Sequence, residues 1–109
     1  DTGMTELIRP MLYGAFHRIV AVAPRAGELQ DYEVVGPLCE SSDTLGHKRE
    51  FGPIEVDDLV AVLDAGAYGF VMASNYNRRR MPAEVLVDGG SWRVIRMRQA
   101  LGDLLRNEE

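Results

Sequence analysis

The single cysteine, Cys39, stands next to Glu40 and follows a Gly36-Pro37 break. A thiol can give a proton and a carboxylate can hold a cation, so the pair suits acid–base chemistry and recognition of a positively charged substrate. An ordinary thiol has a pKa of about 8.5, which leaves it mainly protonated near neutral pH and able to act as an acid. Apolar Val34-Val35 precedes the stretch and polar Ser41-Ser42-Asp43 follows it. That order reads as a strand end opening into a loop. Adjacent residues of a regular strand point to opposite faces. After a Gly-Pro break they need not, and Cys39 and Glu40 can reach one cavity. The plainer reading of the same two residues is a small buried side chain beside a surface acid.

Other residues with chemical potential are scattered. Arg9 and Tyr13 lie four apart, which places them on one side of a helix. Spacing alone favours an exposed arginine and a tyrosine at the helix edge. Tyr68 lies between Gly66 and Gly69, a setting that permits tight turns and the close approach of a ligand, or a chain reversal plugged by an aromatic ring. His17 has no acid, cysteine or histidine at metal-ligand spacing, His47 reads as an exposed residue whose alternative, a pH-sensing role, has no partner visible in the sequence, and one cysteine forms neither a four-cysteine zinc site nor an internal disulfide. No metal site is expected. Asp57-Asp58 reads as a solvated turn, and Arg78-Arg79-Arg80 as a solvated face or partner contact, with phosphate binding ranked second. The only lysine, Lys48, sits in a hydrophilic stretch, and no glycine-rich phosphate loop follows a strand. If the chain serves an enzyme, much of the apparatus is elsewhere.

The elements that must position these residues are mostly strands. Thr5 reads as a helix N-cap ahead of Leu7, Ile8, Met11 and Leu12, with Pro10 shortening or bending the helix. Alternating or apolar runs predict strands over residues 15–23, 32–36, 59–65 and 83–87, the third of them fully buried. Residues 44–50 carry a weaker extended signal, and Ile54 and Val56 alternate with Glu55. Asp88-Gly89-Gly90 reads as a hairpin turn into a return strand with Trp92, Val94 and Ile95. Leu101, Leu104 and Leu105 recur at helical spacing near the end. Short strands joined by turns, with helices only near the ends, predict a mostly β barrel or sandwich. At 109 residues, 46% of them hydrophobic, the chain is one domain's worth and large enough for a core of its own. The net charge of −5 argues against binding nucleic acid or an anionic membrane surface, and no apolar run is long enough to span a bilayer as a helix. The lone cysteine and the absence of a signal-peptide pattern agree with a cytoplasmic setting.

Four blocks carry a more specific signal. Asp1-Thr2-Gly3-Met4 with Leu7-Ile8-Arg9-Pro10-Met11-Leu12-Tyr13 resembles the D-x-G-M…RPxLY segment of diaminopimelate decarboxylases, and Gly36 to Asp43 resembles their GPxCES cysteine loop. The run from Asp64 to Asn77 is similar to their DAGAYGxxMASNYN segment, and Pro82-Ala83-Glu84-Val85 to their PAEV strand. The blocks occur in the family's order over nearly the whole chain. Departures are modest: Thr2, Ser42 in place of a common glycine, and Arg78-Arg79-Arg80-Met81 in place of a more proline-containing loop.

The resemblance implies a C-terminal β-barrel-like domain over residues 15–109, preceded by a domain-junction segment over 1–14. The family's (β/α)8-barrel domain, with the lysine that holds pyridoxal 5'-phosphate, is absent from this chain, which is therefore expected to be an excised or separately expressed part. The implied activity is conversion of meso-2,6-diaminopimelate to L-lysine and carbon dioxide in lysine biosynthesis. Cys39 matches the family's proton donor; Arg9, Tyr13 and Glu40 match substrate-binding positions; Tyr68 matches a residue that contacts cofactor or substrate. Ser41 and Asp43 are expected to shape the cysteine loop. The family's cysteine loop completes the active site of a partner subunit, which implies a homodimer with composite sites and an isolated chain that is inactive. The alternatives are a related ornithine- or arginine-type decarboxylase and a noncatalytic dimerisation β-domain.

Overall fold

The computed structural model describes residues 1–108. A short helix, α1 (Arg9–Tyr13), leads into β1 (Ile19–Ala21), β2 (Gln30–Val35), β3 (Thr44–Phe51) and β4 (Val60–Val62). Two 3-10 turns, Phe70–Met72 and Tyr76–Arg78, precede β5 (Glu84–Asp88), β6 (Ser91–Arg96) and the final helix α2 (Leu101–Leu104). The mostly sheet architecture agrees with the sequence pattern. Barrel closure does not: the strands form three separate antiparallel pairs, β1–β4, β2–β3 and β5–β6, and no ladder joins one pair to another among the described residues.

Local chemistry explains where elements start and stop. Thr5 does not cap α1; it is buried, and its hydroxyl donates to Glu6 Oε2 at 2.9 Å. The helix begins four residues later with Pro10 in its first turn, where a missing N–H costs nothing, so proline starts the helix rather than interrupting it. Gly14 at φ 64° ends it, donating its N–H to the Arg9 and Pro10 carbonyls. The long strand predicted over 15–23 shrinks to Ile19–Ala21, although flanking bonds from Val22 N to Leu59 O (2.9 Å) and from Leu63 N to Arg18 O (2.7 Å) extend its pairing with β4. Between them the His17 ring is buried and donates from Nδ1 to the Leu63 carbonyl at 3.2 Å.

The weak signal over 44–50 belongs to the longest strand. Tyr32 pairs with Arg49 and Val34 with Gly46, so Glu33 stands opposite both His47 and Lys48. This is a β-bulge, with Lys48 at φ 47°. The Glu33 carboxylate bonds both bulged residues, at His47 Nδ1 and at Lys48 N (3.2 Å), and these two bonds hold it below its ordinary pKa. Tyr32 and Phe51 stack at 4.5 Å between centroids. A bulge breaks the strict alternation on which strand patterns rest, which is why the sequence signal was faint.

The core is small. Leu7, Ile19 and Leu45 are its buried apolar residues, with Val34, Phe51, Val62 and Ala65 packed against them. The expectation of a buried strand over 59–65 is not met, since Leu59 is 72% exposed. The radius of gyration is 15.5 Å, against about 13 Å for a compact chain of this length. Every residue of β6 is exposed, including Trp92, Val94 and Ile95, and Val85, Leu86 and Val87 on β5 are exposed as well. Ribbons that carry so much apolar surface are built to be covered.

Candidate active site

Helix α1 and the turn after β4 bring three of the sequence-predicted residues together. The Arg9 guanidinium lies 5.9 Å from the Tyr13 ring centroid and 5.5 Å from that of Tyr68. Both rings are exposed, and no carboxylate pairs with Arg9 among the described residues. Tyr68 adopts φ 60°, a left-handed conformation that costs a bulky residue strain and is kept only where its surroundings enforce it. The next residue, Gly69, is buried, and a β-carbon there would collide with the Ala65 carbonyl. Cation–π attraction holds the guanidinium near the two rings while its N–H donors remain suited to a planar carboxylate.

The cysteine loop is organised from below by Asp43, which is 3% exposed. Its Oδ1 accepts the Met4 N–H at 2.7 Å and its Oδ2 accepts the Leu38 N–H at 2.9 Å. Its own N–H donates to the Glu40 carbonyl at 3.0 Å, and its carbonyl accepts the Gly36 N–H at 2.8 Å. A β-carbon on Gly3 would sit 2.5 Å from Oδ1, and one on Gly36 would sit closer still, so both glycines make room for this carboxylate. Asp43 thus shapes the loop, as its place in the motif suggested, and also ties it to the N-terminal segment 39 residues away.

On this frame Cys39 is exposed and Glu40 half-buried. The two do not share one cavity. Glu40 lines a recess of about 500 Å³ with Met4, Thr5, Ile8, Ser74 and Tyr76, and Cys39 stands outside it. The Tyr76 hydroxyl donates to Glu40 Oε2 at 3.2 Å. That hydrogen bond first, then the charge of Glu40, raises the Tyr76 phenol above its ordinary pKa, and Cys39 acts in the same direction. Tyr76 carries no role in the sequence reading beyond membership of the ASNYN block; only folding brings it to Glu40, 36 residues away.

The site residues therefore fall into two groups, Arg9 with Tyr13 and Tyr68, and Glu40 with Tyr76 beside Cys39. No hydrogen bond or ion pair joins the groups among the described residues. The remaining candidates stand apart. Of the arginine run, Arg78 pairs with Glu108 at 3.4 Å and Arg79 with Glu6 at 3.6 Å, which makes it mainly an intramolecular clasp. His47 meets Glu33 on the surface, and Lys48 is exposed.

Residues 1–66 match the family model of the pyridoxal-dependent decarboxylase C-terminal sheet domain. The diaminopimelate decarboxylase of Archaeoglobus fulgidus is 50% identical over 109 residues, covering 99% of this chain and 26% of the relative. That of Vibrio cholerae is 49% identical over 104 residues, covering 95% and 25%. Among solved structures, diaminopimelate decarboxylase from M. jannaschii aligns over 100% of this chain and 25% of its own, with a TM-score of 0.95 and 39% identity. The Helicobacter pylori enzyme complexed with L-lysine aligns over 97% and 26%, with a TM-score of 0.89 and 43% identity. The chain spans about a quarter of the length of the curated relatives it matches. By its matched residues and its fold, the chain belongs to the pyridoxal-dependent decarboxylase family, of which it forms the C-terminal sheet domain.

Proposed function

We propose that the protein carrying this chain decarboxylates meso-2,6-diaminopimelate to L-lysine and carbon dioxide, in the cytoplasm, and that this chain contributes the proton donor and the substrate contacts. The observation that carries the proposal is the cysteine loop itself: a buried Asp43 carboxylate fixes a loop on which Cys39 is exposed and Glu40 faces a recess. A loop this closely held suits a group that must meet a reacting carbon at a set position.

The division of labour follows from charge. Diaminopimelate has two ammonium and two carboxylate groups. Arg9, flanked by Tyr13 and Tyr68, would take a carboxylate through its planar fork, with the Tyr13 hydroxyl as a second donor. Glu40 would take the distal ammonium. The Cys39 thiol would give its proton to the carbon that has lost carbon dioxide, and solvent can return a proton to the exposed sulfur. Pyridoxal phosphate, when bound, supplies the electron sink for the pair left by decarboxylation. The residues here fit one edge of that group rather than its anchor. Tyr68 offers an exposed phenol beside a cation and would hold the phosphate end, whereas Lys48, the only lysine, is exposed on a bulge of β3. The anchoring lysine would come from a (β/α)8-barrel domain beyond these residues.

In this reading residues 1–14 form the junction to that domain and residues 15–109 the sheet domain proper, with Leu7 and the buried Thr5 fastening the junction into the sheet core. Contact with the barrel would cover the exposed ribbons and complete the barrel-like shape. The separation of Cys39 and Glu40 from Arg9, Tyr13 and Tyr68 supports a homodimer in which each site takes its cysteine loop from the partner. The relatives named diaminopimelate decarboxylase favour that substrate over ornithine or arginine. The test is carbon dioxide release by the full-length protein from meso-diaminopimelate and from ornithine, alongside the isolated chain. Expected are turnover of diaminopimelate by the full-length protein and none by the isolated chain. Faster turnover of ornithine, or activity from the pure 109-residue chain, would refute the proposal.

A further inference from the structure

Glu40 has one side-chain partner among the described residues, the Tyr76 hydroxyl at 3.2 Å. A carboxylate on a half-exposed glutamate has several rotamers open to it, so a single directed donor decides where it points. The backbone that carries Tyr76 is constrained by its neighbours. It opens the 3-10 turn Tyr76–Arg78, in which Asn77 and Arg78 both adopt φ 55°. Two successive non-glycine residues in the left-handed region are costly and persist only where neighbouring contacts over-determine them.

Those contacts are present on every side. Asn75 Nδ2 donates to the Arg79 carbonyl at 2.7 Å and to Gln99 Oε1 at 2.7 Å. Ser74 N–H donates to the Thr5 carbonyl at 3.0 Å, and Arg79 pairs with Glu6 at 3.6 Å. The strained turn is thus bolted to the N-terminal segment and to the chain after β6, and its hydroxyl is the group that reaches the cysteine loop. The recess beneath is lined partly by the apolar side chains of Met4 and Ile8, so Tyr76 supplies the directed donor that Glu40 meets there.

We propose that Tyr76 is a positioning residue for Glu40: its hydroxyl aims the carboxylate to receive the distal ammonium of the substrate. The inference rests on the substrate role proposed above for Glu40. A phenol held above its ordinary pKa by this carboxylate stays protonated, and so remains a donor, throughout the neutral range.

The test uses the full-length protein with Tyr76→Phe, Glu40→Gln and the double substitution. KM and kcat are measured for meso-diaminopimelate, and Kd for L-lysine by calorimetry. Tyr76→Phe removes one oxygen from a half-exposed ring and should leave kcat within about twofold, while KM and Kd rise about three- to tenfold, the scale of one partly exposed hydrogen bond to a charge. In the Glu40→Gln background the same change should add less than about twofold, because coupled residues do not act additively. An equal factor in both backgrounds, or unchanged KM and Kd in Tyr76→Phe while Glu40→Gln raises them, would overturn the role of Tyr76 alone. If Glu40→Gln itself moves neither constant, the substrate role of Glu40 falls, and that of Tyr76 with it.

Discussion

The cysteine loop joins the antiparallel strands β2 and β3, the β5–β6 ribbon is an antiparallel pair in its own right, and the two are held by opposite means. The loop between β2 and β3 is fixed from inside the molecule, where the two oxygens of the buried Asp43 carboxylate are spent on Met4 and Leu38. The ribbon is held by its own ladder, by the Ser91 hydroxyl on the Asp88 carbonyl (2.9 Å) and by an Arg96–Glu84 pair at 2.8 Å, with the Arg96 guanidinium 3.6 Å from the Phe70 ring centroid as its contact to the rest of the fold, and its apolar side chains face outward. Interior polar contacts mark the loop as a part with a set geometry. Outward apolar surface marks the ribbon as a part that takes its geometry from something it docks against.

The strongest way to break this contrast is to remove the group that the loop presents. Cys39→Ala in the full-length protein should lower kcat about 10²- to 10⁴-fold, the usual worth of a positioned general acid. Cofactor absorbance should be unchanged, because Cys39 is exposed and holds no other residue in place. An equal loss of cofactor binding would turn the cysteine into a structural residue. Next in size is the frame beneath it. Asp43→Ala leaves two backbone N–H groups without their acceptor and should destabilise the full-length protein by about 2–4 kcal/mol in urea unfolding. It should also open residues 36–43 to proteolysis. A variant as stable as the parent would remove the distinction between an anchored loop and a free ribbon.

The ribbon should answer differently. Replacing exposed Trp92 and Val94 with lysine should change the unfolding free energy of the isolated chain by less than about 1 kcal/mol, since little packing is lost. It should nonetheless reduce self-association measured by sedimentation, because that apolar surface is what a second molecule would cover. Self-association unchanged by the two lysines would locate the sticky surface elsewhere. The smallest effect concerns the turn beside β4. Asp58 is lowered to about 2 by the hydrogen bond from Arg25, reinforced by the Glu55 N–H and the arginine charge. A depressed carboxyl contributes stability above its unfolded value, about 3.9, and that contribution disappears as pH falls toward 2. Asp58→Asn should flatten this slight acid-side slope in thermal unfolding and leave the cysteine loop unaffected. An unaltered slope would mean that the Arg25 pair adds nothing.

Much of this was legible in the residues. Alternation and apolar runs marked five of the six strands, and Asp88-Gly89-Gly90 marked the ribbon turn that the structure contains. The ordered motif blocks selected the family. Strand β3 was faint because a bulge at His47-Lys48 breaks the alternation, and residues 59–65 looked buried because an apolar run states a need for cover without saying which surface meets it. Tyr76 was invisible as a partner, since nothing local to an Asn-Tyr-Asn run points to a glutamate 36 residues earlier.

By itself the sequence determined the element types, the family and the chemical identity of the residues offered: one thiol, one acid beside it, an arginine near tyrosines. Those follow from side-chain type and short-range spacing. Tertiary structure alone decided that the Asp43 carboxylate is buried under the loop, that Tyr68 joins Tyr13 beside Arg9, and that Cys39 and Glu40 part company, one toward solvent and one toward a recess. Such facts depend on contacts between residues far apart in the chain, and a hydrogen bond or a stacked cation exists only once both partners have been brought within a few ångströms.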